Sequence, residues 1–134
     1  MPSGLCIGLV AGALVHPLPT TSVTLSWTHS VEKTRWEEDY VVDGRVLYLR
    51  EARVKTSGAG MDPPSGAVWR DGWWRYRPAS DRIPEVILAN SKFVEGYTLC
   101  WLQSVCQPME VFVPKGTPVK LTPVPCADKH PVAQ

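Results

Sequence analysis

The chain has 134 residues, a length that fits one domain of the usual ~100–150 residues and can bury a core without a structural metal. Its 44% hydrophobic and 20% charged residues exclude a disordered chain, and 14 Lys and Arg against 13 Asp and Glu leave a net charge of +1, too weak a field to gather nucleic acid. Thirteen Pro, ten Gly and six Trp speak for many turns and large aromatic side chains, as in an all-β fold of short strands.

The first apolar run, GLCIGLVAGALV, is shorter than the ~20 residues of a membrane-spanning helix. Residues 1–4 hold no Lys or Arg to form the basic start of a secretory signal. The run therefore reads as a buried first strand, with no membrane span and a cytoplasmic location. Next, Val23, Leu25 and Trp27 alternate with Thr24, Ser26 and Thr28, and His29 continues the inward set. The following strand brings Trp36, Glu38, Tyr40 and Val42 to the same face. A turn centred on Glu32 and Lys33 sets Trp27 opposite Glu38, His29 opposite Trp36 and Leu25 opposite Tyr40. The Asp43-Gly44 turn then sets Leu47 opposite Tyr40, Leu49 opposite Glu38 and Glu51 opposite Trp36. On this register the inward face ends in a polar cluster of His29, Glu38, Glu51 and Arg53 around two tryptophans. Buried carboxylates need partners or a wet mouth.

Farther along, Gly58, Ala59 and Gly60 open a loop stiffened by Asp62-Pro63-Pro64. The Asp71-Gly72 turn pairs Trp69 with Trp74 and leaves Arg70, Trp73, Arg75 and Arg77 on the other face. Residues 81–91 suit a short helix or a strand. Cys100 and Cys106 face each other across a hairpin tip at Leu102-Gln103-Ser104, as a disulfide or as two half-buried thiols. Pro123, Pro125 and Pro131 make residues 122–134 a loose tail behind a single β domain of residues 1–121. The expected architecture is a meandering barrel or sandwich of roughly eight strands.

The chemistry these residues can perform is limited. Ser30 follows His29 directly, and neighbouring residues of a strand point to opposite faces, which spoils a Ser–His relay. His29 with Glu38 and Glu51 has the composition of a His-plus-two-carboxylate metal set. The Gly-Ala-Gly loop lacks the following helix of a phosphate cradle, though its amides suit a carboxylate. No residue is assigned a catalytic, metal-binding or cofactor role.

The run His29-Ser30-Val31-Glu32, then Glu38, then Gly58-Ala59-Gly60 resembles the bacterial domain of unknown function 1850 family over residues 23–106. Its members are often encoded beside, or fused to, components of tripartite (TRAP-type, TAXI subclass) transporters for organic solutes. Longer relatives begin with a basic, apolar membrane anchor, which implies an extracytoplasmic alternative. The resemblance implies a non-enzymatic accessory or ligand-binding domain whose partner is a transporter membrane component or a small organic acid. Its functional mouth is expected at His29, Ser30, Glu32, Glu38, Glu51, Gly58, Ala59 and Gly60. The alternative is a small metal-dependent or hydrolytic enzyme built on His29 and Glu38.

Overall fold

The computed structural model of the chain describes residues 4–28, 34–55, 66–78, 81–93 and 95–127. In chain order the strands are β1 (Leu5–Ala11), β2 (Leu14–Pro17), β3 (Ser22–Thr28), β4 (Arg35–Asp43), β5 (Val46–Lys55), β6 (Val68–Arg70) and β7 (Trp73–Tyr76). They continue as β8 (Arg82–Ile83), β9 (Val86–Leu88), β10 (Thr98–Trp101), β11 (Val105–Pro108) and β12 (Val119–Pro125), with a 3₁₀ turn at Met109–Val111. Residues 81–91, open between helix and strand on sequence, thus form two short strands. The fold is all-β, as the turn-rich composition suggests, and it is open rather than a closed barrel.

Two antiparallel sheets carry the fold. One has the order β2-β1-β12-β9; the other runs β11-β10-β3-β4-β5-β7-β6, with β8 also pairing to β5. Between them lies a common core. Ile7, Leu9, Leu121 and Val119 of the first sheet meet Val23, Leu25, Tyr40, Leu47, Leu49, Leu99 and Trp101 of the second. Each buried Leu or Ile contributes about 1.5–3 kcal/mol relative to exposure. The Val124 side chain of β12 lies over Gly8 of β1, where a Cβ would collide with it.

The proline-rich end is not loose up to Pro125. β12 pairs with β1 from Lys120 to Pro125, while its other side pairs with β9 only at residues 119–121. Pro123 and Pro125 fall where that second side is unpaired, so their missing N–H groups cost no ladder bond. Cys6 and Cys126 then join the two strands as a disulfide across 120 residues of sequence. The bridge at Cys100 and Cys106 is also present, in the register expected from the hairpin tip, with Leu102 and Gln103 at positive φ.

Two register expectations are corrected. In the β3–β4 pair Trp27 faces Trp36 and Leu25 faces Glu38, a shift of two residues that keeps every side chain on its expected face. In the β4–β5 hairpin the two-residue turn is Gly44-Arg45, not Asp43-Gly44, and Gly44 supplies the positive φ of 66°. The larger change follows at a bulge: Tyr40 pairs with Leu49, Asp39 pairs with Glu51, and Arg50 is left over. The extra residue switches the inward positions from Leu47 and Leu49 to Ala52 and Val54. Glu51 and Arg53 are therefore turned to the outer face. The Trp69–Trp74 pair matches expectation, edge to face at 5.3 Å, over an Asp71-Gly72 turn with both residues at positive φ.

Candidate functional site

The inner face of the larger sheet extends past the core that the two sheets share. Its outermost layer is aromatic, because one register row runs Trp27, Trp36, Val54, Trp74 and Trp69 across five strands. The Trp27 and Trp36 rings lie 6.2 Å apart with planes within 7°, and Tyr97 leans on Trp27 at 5.9 Å. One layer deeper the row reads Leu99, Leu25, Glu38, Ala52 and Tyr76. Glu38 is thus the one charged side chain among aliphatic and aromatic neighbours.

The Tyr40 hydroxyl donates to Glu38 Oε1 at 2.6 Å, and no Lys, Arg or His pairs with this carboxylate among the described residues. Burial raises the Glu38 pKa above its ordinary 4.5, and the Tyr40 bond only partly offsets this. The same proximity is felt from the other side. Tyr40, Tyr76 and Tyr97 are all raised, first by burial and then by the Glu38 charge. The indole Nε1 of Trp36 is buried without a partner among the described residues, a state that costs about 1–3 kcal/mol if nothing fills it.

The outer face of the same strands is built on opposite terms. Arg53 donates from Nε to Glu37 at 2.8 Å, from Nη1 and Nη2 to Asp39 at 2.8 and 2.9 Å, and from Nη1 to Glu51 at 2.9 Å. Arg75 adds a second bond to Glu51 at 2.9 Å, and Thr24 donates to Asp39 at 2.7 Å. Burial alone would raise Asp39, but Arg53, Thr24 and the charge of Arg50 outweigh it and hold its pKa below 3.8. Beside this network a groove of about 390 Å³ is lined by Thr24, Asp39, Arg50, Arg53 and the Cys100–Cys106 bridge.

Of the residues expected at a functional mouth, Glu38 keeps its inward position. Glu51 is corrected: it lies on the opposite face and is held by Arg53 and Arg75, so it cannot join Glu38 in one metal-binding set. His29, Ser30, Glu32, Gly58, Ala59 and Gly60 lie outside the described residues. The strand ends next to these two segments are adjacent, however, since Thr28 pairs with Arg35 and Arg35 with Lys55. Sequence reasoning passed over Tyr76, Tyr97 and the outer network. The signal for the network was the three-residue step from Leu49 to Ala52, which breaks the alternation of β5.

The sequence profile described as Domain of unknown function (DUF1850) matches residues 23–108. The chain belongs to that family. The DUF1850 segment runs from Val23 in β3 to the end of β11, and so spans the larger sheet and its aromatic end. β1, β2 and β12 of the smaller sheet fall outside it. No curated protein and no solved structure matches the chain. No helix among the described residues is long and apolar enough to cross a membrane.

Proposed function

We propose that this chain is a non-enzymatic, solute-binding accessory domain that serves the membrane component of a TRAP-type transporter, with its mouth over Glu38. The observation that carries this reading is the convergence of strand ends. Thr28, Arg35 and Lys55 stand side by side in the register, three positions beyond the Glu38 row. The segments holding His29, Ser30 and Glu32 and holding Gly58, Ala59 and Gly60 both leave from these ends. Near these strand ends lie half-buried rings and a carboxylate with no cationic partner among the described residues, a mostly apolar set with few polar groups, as small-molecule sites use.

The two disulfides support an extracytoplasmic placement, because such bridges persist in oxidising compartments. The transporter role rests on the family resemblance. A thermal-shift screen of small organic acids and amines tests the binding role. A ligand at 100-fold over its Kd stabilises by about 2.7 kcal/mol. The expected result is a hit whose stabilisation is lost in His29→Ala and Glu38→Gln and kept in Arg77→Ala. A screen in which no solute raises Tm, or in which Glu38→Gln leaves every hit intact, rejects the mouth.

A further inference from the structure

The chemistry around Glu38 selects among solutes. Among the described residues no cation pairs with the half-buried Glu38 carboxylate: Tyr40 donates to it, and Tyr76 and Tyr97 feel its charge. In the next row of the same face stand Trp27 and Trp36, whose parallel rings lie 6.2 Å apart, with Tyr97 tilted against Trp27. Aromatic faces carry negative charge at their centres and attract cations within about 6 Å. Ring faces and carboxylate thus act in the same direction, toward a positive guest. An organic acid would meet a like charge in a poorly solvated place, which is unfavourable. The buried Trp36 N–H, without an acceptor in the described residues, is a second group left open at the same end of the sheet. An oxygen on the guest would complete it.

From this we infer that the Glu38 end of the inner face binds an organic ammonium compound, with the cation held by Glu38 and the Trp27, Trp36 and Tyr97 rings. The inference rests on the proposed mouth and narrows its ligand from organic solutes in general to amines. It replaces the small organic acid expected from the resemblance.

The experiment is calorimetric titration of the full chain with choline chloride and, separately, with sodium butyrate at equal ionic strength. Choline supplies a quaternary ammonium and a hydroxyl oxygen; butyrate supplies a small organic acid. The expected result is saturable choline binding, weakened at least tenfold in Glu38→Gln and unchanged in Arg77→Ala, with no heat from butyrate. Tyr97→Leu, which keeps the carboxylate and removes a ring, is expected to weaken choline severalfold. Circular dichroism of each variant confirms that it is folded. Butyrate binding that depends on Glu38, with no choline binding, overturns the ammonium inference and leaves the mouth standing. Choline binding that survives Glu38→Gln overturns it too, by locating the cation elsewhere. If neither probe binds, both the inference and the mouth fall.

Discussion

Glu38 and Asp39 are neighbours in the chain and opposites in the fold. Strand geometry sends them to different faces of one sheet. Glu38 enters a layer of rings and aliphatic side chains with a tyrosine hydroxyl as its hydrogen-bond donor, while Asp39 meets a forked guanidinium and a threonine hydroxyl. The outer carboxylates are satisfied and belong to stability. The inner one has a tyrosine hydroxyl but no cation beside it among the described residues. Two adjacent acidic residues thus teach that the chain position of a charge says little about its surroundings, which the face of the strand decides.

The comparison can be broken most forcefully at Arg53. Arg53→Met strips Glu37, Asp39 and Glu51 of their shared cation while they remain partly buried, and is expected to cost about 3 kcal/mol in urea unfolding. Asp39→Asn leaves the guanidinium paired to Glu37 and Glu51, so a smaller loss of about 1–2 kcal/mol at pH 7 is expected. At the small end, Glu38→Gln should change stability at pH 7 by less than about 0.5 kcal/mol, or raise it, since it removes a charge from a poorly solvated place. A large loss there would mean that Glu38 has a structural partner after all.

Acid titration separates the two faces by sign. The folded pKa of Asp39 lies below its unfolded value, so its stabilisation is present above pH 3.8 and is lost as pH falls through the folded pKa. The folded pKa of Glu38 lies above its unfolded value, so its contribution favours the folded state below pH 4.5 and is lost as pH rises through the folded pKa. Unfolding free energies measured from pH 3 to pH 7 should therefore show Asp39→Asn flattening the rise of stability with pH, and Glu38→Gln steepening it.

Much of this arrangement was legible in the sequence, and the failures have causes. Alternation located the strands and kept Glu38 inward even though the β3–β4 register moved by two, because a two-residue shift preserves the face. That Cys100 and Cys106 face each other followed from a short hairpin, where opposition is a matter of counting; the choice of a bridge over two thiols came from the structure. Glu51 and Arg53 were misread because a single extra residue, Arg50, inverts everything beyond it. The spacing of Leu47, Leu49, Ala52 and Val54 records that inversion, but only to a reader who allows a bulge. Cys6 and Cys126 were out of reach for another reason: their pairing depends on β12 lying beside β1, and nothing local couples residues 120 apart. Tyr76 and Tyr97 reach Glu38 from β7 and from the segment before β10, also through long-range pairing.

The most direct test of the central contrast is an NMR titration of the carboxyl carbons of Glu38 and Asp39 in one sample. Glu38 is expected to titrate above 4.5 and Asp39 below 3.8. Ordinary values for both, or Glu38 depressed as by a nearby cation, would contradict an open inner carboxylate and a neutralised outer one.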